Sequence, residues 1–213
     1  MIDLTPRWPS RLASHTALRD RLLACYSAPH RGYHDARHLA EVLERLDELL
    51  DQPQTAGVDR DAVVLAAWFH DAVYDGRRDD EERSAALAEA TLTASGVPRP
   101  LVAEVARLVR LTRGHRPAPD DLAGQVLCDA DLAILAAGRD RYDEYVRDVR
   151  REYSHLDDET FRTGRVEVLT DLLEKPALFH TPLARESWED AARANLEREV
   201  GALGEGGRSV SGP

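Results

Sequence analysis

Thiols, aromatic rings and positive charge are all scarce in this chain of 213 residues. Cysteine occurs only at Cys25 and Cys128. Two are too few for a disulfide framework, and their separation does not suggest a paired metal-thiolate motif, so reduced, buried thiols are expected. Lys and Arg number 28 against 39 Asp and Glu, a formal net charge of -11. Such a balance repels a phosphate backbone on average, which argues against polymeric nucleic acid as a partner. A small phosphorylated ligand stays open, because a cation and a few local arginines can invert the field within one cleft. No window approaches the roughly 18 apolar residues of a membrane span. Met1 to Pro9 lacks even the apolar stretch of about 7 residues that a secretory signal needs. A cytoplasmic protein with no membrane contact is the expectation.

What the chain does have is helical periodicity. Leu39, Val42, Leu43, Leu46, Leu49 and Leu50 make one apolar stripe at the 3.6-residue period. The same spacing recurs in Val63 to Phe69, Ala85 to Leu92, Leu101 to Leu111, Leu132 to Ala137, Tyr142 to Tyr153, Val166 to Leu173 and Trp188 to Val200. No βαβ pattern and no internal repeat accompanies it. The expectation is an all-α, single-domain bundle of about eight to ten helices, and a chain with 43% hydrophobic residues can bury one sizeable core. Prolines mark the joints, since an interior proline costs a helix about 3 kcal/mol. Pro53 ends one helix, Pro98 and Pro100 open another, Pro117 and Pro119 follow it, and Thr181-Pro182 reads as an N-cap before an N1 proline. The folded domain is expected over 1–200. The Gly-rich stretch 201–213 has no apolar face and reads as a disordered tail.

Three segments bring imidazoles and carboxylates into apolar surroundings. His34 and His38, four residues apart, share one face if a helix begins near residue 34, with Leu39 and Val42 on its buried side; such a pair also suits surface or capping roles. His70-Asp71 ends the run Ala66-Ala67-Trp68-Phe69, where burial demands that both be satisfied by hydrogen bonds or a cation. Asp129 and Asp131 lie between Val126-Leu127 and Leu132. Asp129 suits an N-cap and Asp131 the first turn of the helix that follows, and spacing alone does not say which of them ligates. Asp79-Asp80-Glu81-Glu82 reads as a solvated helix N-terminus, complementary to the macrodipole.

The order His38, His70-Asp71, Asp131 resembles the HD superfamily of metal-dependent phosphohydrolases, and the resemblance spans most of the chain. YHDARHLA is similar to the signature of cyclic nucleotide phosphodiesterases, in which the first histidine protonates the leaving oxygen and the second binds metal. AAWFHDAVYDGRRDDEERSA, CDADLAIL and ARANLERE look more like a compact bacterial group of predicted HD phosphohydrolases with unassigned substrate. The resemblance implies an HD-type fold, His38, His70, Asp71 and Asp131 as metal ligands, and His34 as general acid. Asp129 would then be a cap or a supporting group. Many superfamily members place two further histidines on a second metal. Here Glu81 or Glu82 stands where one is expected, and His115 matches the other in chain order.

The implied cofactor is one or two divalent ions, drawn from Mn, Mg, Zn, Fe, Co or Ni, with an oxygen-rich second site suiting Mg or Mn. The implied reaction is hydrolysis of a phosphoester in a nucleotide or related small metabolite, with Arg78 and Arg113 as candidate phosphate contacts. Two other classes share the resemblance: a non-catalytic, metal- or nucleotide-binding regulatory domain, and a di-iron oxygenase, which the departure at Glu81-Glu82 and the YHDARH segment oppose.

Overall fold

Helix starts in this chain follow its aspartates, threonines and prolines. The computed structural model describes residues 2–206, and among these it has ten α-helices, four short 3-10 turns and no strand. The all-α architecture is therefore as expected. The described residues fall into two compact units, which divide after Asp131.

In the first unit, α1 (Thr16–Tyr26) packs on α2 (Ala36–Leu50). The start of α2 is set by Asp35, whose carboxylate accepts from Arg37 N at 2.8 Å and His38 N at 3.2 Å. This cap satisfies two of the donors that a helix start leaves open, a contribution of about 1 kcal/mol. It also corrects the expectation for His34. The helix begins after the cap, so His34 sits in the preceding turn and does not share a helical face with His38.

Asp59 caps α3 (Arg60–Phe69) in the same way. This helix is apolar on all sides because it runs through the core. Leu65, Ala66, Ala67, Trp68 and Phe69 have no exposed surface, and α3 packs on α2, on α4 (Asp80–Ala94) and on α5 (Arg99–Leu111). Each large side chain buried this way stabilises by about 1.5–3 kcal/mol. The chain leaves α3 at His70, so its one histidine and the following aspartate emerge at the end of a rigid, buried element.

The turn between α3 and α4 is tied backbone group by backbone group. Asp80 Oδ2 accepts from Asp75 N and Arg77 N, both at 2.8 Å, and Ser84 Oγ accepts from Val73 N and donates to Val73 O. Asp80 is buried, so one member of the acidic run braces a loop instead of facing solvent.

The last helix of the unit, α6 (Leu122–Leu132), carries both Asp129 and Asp131. Neither lies at a helix start, which corrects the second expectation. Asp129 is buried inside the helix and Asp131 is in its last turn. The stretch from Ala133 to Ala136 is a short 3-10 turn, not an α-helix.

The second unit is built around α10 (Glu189–Gly206), which packs on that 3-10 turn, on α8 (Asp158–Glu174) and on the short α9 (Pro182–Ser187). Helix α7 (Arg139–Glu152) packs on the 3-10 turn, and Thr181 caps α9 by accepting from Ala184 N. The unit holds a polar core. Glu199 of α10 accepts from Tyr142 Oη at 2.6 Å and from Arg165 Nε at 2.7 Å, and Arg165 Nη2 donates to Tyr145 Oη at 2.9 Å. All four side chains are buried. Helix α10 runs past Gly201 to Gly206, so part of the expected tail is helical; residues 207–213 lie outside the described residues.

Candidate metal centre

Four donor atoms from α2, the end of α3 and the end of α6 converge within the first unit. His38 Nε2 and His70 Nε2 are 3.1 Å apart. Asp71 Oδ2 lies 3.4 Å from the first and 3.0 Å from the second. Asp131 Oδ1 lies 3.2 Å from His38 Nε2 and 3.4 Å from His70 Nε2. Two donors bound to one ion at about 2.1 Å, at angles between octahedral and tetrahedral, sit about 3.0 to 3.4 Å apart. All five separations fall in that interval. His38, His70 and Asp71 form the group whose donor atoms are all mutually close enough to hold a metal ion, and Asp131, outside that group, sets one oxygen against the same two nitrogens.

The protonation of His70 follows from its other nitrogen. His70 Nδ1 is 2.7 Å from Ala67 O, and a carbonyl only accepts, so Nδ1 carries the hydrogen. In the neutral ring Nε2 is then a lone pair facing His38, Asp71 and Asp131. This carbonyl bond to the distal nitrogen is the arrangement that orients metal-binding histidines. Without a cation, two imidazole nitrogens at this distance need a proton between them.

The charges reflect that need. Burial pulls the His38 imidazolium down, but hydrogen bonds to Asp131 and Asp71 outweigh it and raise the pKa to about 9. His70 is opposed by burial in the same way and is driven well above its ordinary value by the charges of Asp71 and Asp131. Burial raises Asp71 and Asp131, yet the positive charge on His70 dominates for both, and each carboxyl lies well below the usual range. The two carboxylates thus favour protonated imidazole in the buried site. A divalent cation supplies positive charge from one atom.

Access is one-sided. The imidazoles of His38 and His70 keep 2% and 1% of their surface, while the carboxylates of Asp71 and Asp131 keep 13% and 12%. Solvent reaches the centre on the carboxylate side.

Around these four, the remaining expected residues separate. His34 stacks on Tyr74, with centroids 4.0 Å apart and planes at 23°, and its centroid is 5.5 Å from that of His38. Its charge lowers the Asp71 pKa further, so it stands beside the centre without being among the converging donors. His115 Nε2 is 2.9 Å from Asp131 Oδ2, so that one carboxylate faces the histidine pair with one oxygen and His115 with the other. His115 has φ 48°, a left-handed conformation uncommon for a non-glycine residue and one often held at functional sites.

Glu81 and Glu82 part company. Glu81 is half-buried, and burial raises its carboxyl pKa with Asp71 and Asp80 adding to the effect. Glu82 is exposed and engaged by Arg110 through two hydrogen bonds, at 2.7 and 2.8 Å, on the solvent side of α4. Arg78 is exposed in the turn before α4. Arg113, exposed after α5, acts on Glu81 by its charge.

Three supporting residues carry no sequence signal of their own. Tyr26, one turn after Leu22, reads as plain core, yet its hydroxyl lies 3.3 Å from both Ala67 O and Trp68 O and accepts from Asp71 N at 3.3 Å. Arg31 and Tyr74 flank His34. The chain matches no known protein family, no curated protein and no solved structure.

Proposed function

We propose that this protein is a metal-dependent phosphohydrolase of the HD type, acting on a phosphoester in a nucleotide or related small metabolite. The observation that carries the reading is the convergence of two imidazole Nε2 atoms and two carboxylate oxygens from three helices and their ends, with a further imidazole, His34, beside them and outside the donor set.

In this reading His38, His70, Asp71 and Asp131 hold the ion, and the mixed nitrogen and oxygen set suits Mn, Fe, Co, Ni or Zn. A divalent cation held there would acidify a water toward a pKa of about 7 and offset charge on phosphoryl oxygens. His34 delivers an imidazole proton to the departing alkoxide, a contribution of about 10²- to 10⁴-fold. Tyr74 holds the face of that ring, so the proton is presented from one direction. His115 orients Asp131 through its outer oxygen. Glu81 is the oxygen donor available to a second, weaker cation of the Mg or Mn kind, whereas Glu82 is committed to Arg110. Arg113 and Arg78 supply cationic side chains for the phosphate. The chain's net charge of -11 favours a small substrate over a polymer. Cys25 and Cys128 are not joined in a disulfide, which is consistent with action in the cytoplasm, and no helix among the described residues is long and apolar enough to cross a membrane.

The test is direct: purified protein, loaded in turn with Mn²⁺, Mg²⁺, Co²⁺ or Ni²⁺, is assayed against a panel of phosphomonoesters and phosphodiesters. Turnover that depends on the metal is expected. Stoichiometric metal binding with no turnover under any metal would overturn the hydrolase reading in favour of a metal-binding regulatory domain.

A further inference from the structure

His34 lies outside any helix, in a turn where a side chain has no regular lattice to hold it. A proton donor held loosely loses much of its value, since misplacement of a reacting group by about 1 Å costs on the order of 10²-fold. The neighbouring groups supply what the turn lacks. Arg31 is buried, and its guanidinium donates from Nη1 to His34 O at 2.6 Å and from Nη2 to Ala72 O at 3.2 Å. One planar fork thus joins the backbone that carries His34 to the turn that leaves Asp71. The same guanidinium carbon lies 5.1 Å from the Tyr26 ring centroid and 5.8 Å from that of Tyr74, and Tyr74 is the ring on which His34 stacks. His30 Nε2, at 3.2 Å from Tyr74 O, ties the two segments a third time.

We propose that Arg31, together with Tyr74, is the positioning pair for His34: Arg31 fixes the backbone and Tyr74 the ring plane, setting the imidazole against the metal centre. The inference rests on the reading of His34 as proton donor. Arg31 acts through the backbone carbonyls of His34 and Ala72, so its role is to position. A buried arginine that served only to fill space would not need its fork on two carbonyls, His34 O and Ala72 O, from separate segments of the chain. A lysine there keeps the charge but cannot reproduce the planar, two-pronged geometry.

The experiment uses the full chain loaded with Zn²⁺, and compares wild type with Arg31→Lys, Arg31→Gln, Tyr74→Leu and Tyr74→Phe. Placement of His34 is read by NMR as the proton contact between the His34 and His38 rings, which needs no substrate. Metal content is measured on the same samples, and hydrolysis of bis(4-nitrophenyl) phosphate is measured with Mn²⁺. The inter-ring contact is expected to vanish in Arg31→Lys, Arg31→Gln and Tyr74→Leu and to survive in Tyr74→Phe, all with full zinc content. Where the contact vanishes, kcat should fall roughly 10- to 100-fold with KM little changed.

Persistence of the ring contact in the Arg31 variants overturns the proposal. So does loss of zinc in step with the contact, because Arg31 would then support the whole centre and not His34. If the Arg31 variants do not fold, Tyr74→Leu against Tyr74→Phe decides by the same contact. Absence of turnover in wild type would sink the hydrolase reading alone, since the NMR and zinc measurements still decide where His34 is held and by what.

Discussion

His34 and His38 are separated by a single capped turn, and that turn gives them different environments. His38 is buried on α2 with its Nε2 among three other donors, while His34 is half-buried in the turn and faces Tyr74. Replacing His34 by alanine should therefore leave metal content intact and lower kcat by about 10²-fold or more, the ordinary worth of a general acid; metal analysis and steady-state kinetics on one preparation test this. Loss of metal instead would move His34 into the ligand set. The two aspartates of α6 separate by the same logic. Asp131→Asn should weaken metal binding at least about tenfold, because its Oδ1 meets both histidine nitrogens. Asp129→Asn should retain the metal and cost about 1–3 kcal/mol of stability as a perturbed buried polar group. Metal titration and thermal melting of the two variants would show the opposite pattern if the roles were exchanged. From the sequence, His70 and Asp71 were legible as groups that need a partner because they end an apolar run, whereas His38 and Asp131 entered the set through the resemblance, since spacing alone did not choose between Asp129 and Asp131. The shared helical face of His34 and His38 was a misreading, because Asp35 takes the cap and starts the helix after His34.

At the level of elements, what was legible is what periodicity reports: helices with one apolar stripe, such as α2 and α5, or with none exposed, such as α3. Helix α6 was misplaced because its interior carries Gly124, Asp129 and Asp131, which weaken any stripe and mimic a helix start. Buried ion pairs were invisible for a related reason. Arg165 and Glu199 sit 34 residues apart on helices whose outer faces are also charged, so nothing in the pattern distinguishes a core arginine from a surface one. Their pairing carries its own prediction. Glu199→Ala leaves the Arg165 charge buried beside Tyr142 and Tyr145 without its carboxylate, and should destabilise the second unit by about 3–5 kcal/mol. Substituting Arg165 and Glu199 together by methionine and leucine should cost far less than the sum of the single changes. A denaturant double-mutant cycle measures the coupling, and additive single costs would mean the two charges do not stabilise each other.

For the whole molecule, the centre makes pH act in opposite directions on the metal-free and metal-bound forms. In the metal-free protein the His38 pKa is raised from 6.5 to about 9, so its stabilising contribution is complete below 6.5 and is lost as pH rises through about 9; His70 shifts in the same direction. Asp71 and Asp131 are lowered from 3.8, so theirs is present above that value and is lost only as pH falls through the depressed range. These two trends put the most stable window of the metal-free centre between the ordinary carboxylate and imidazole values. Metal binding needs the same nitrogens deprotonated, so each imidazole proton displaced makes affinity climb by up to about tenfold per pH unit until that group is neutral. The rise in melting temperature produced by a fixed concentration of Mn²⁺ should accordingly be larger at pH 8.5 than at pH 6, while the metal-free melting temperature moves the other way. Melting curves at the two pH values, with and without the ion, measure both slopes. A metal-induced shift independent of pH would mean that the ion does not displace the imidazole protons, and would remove His38 and His70 from the ligand set.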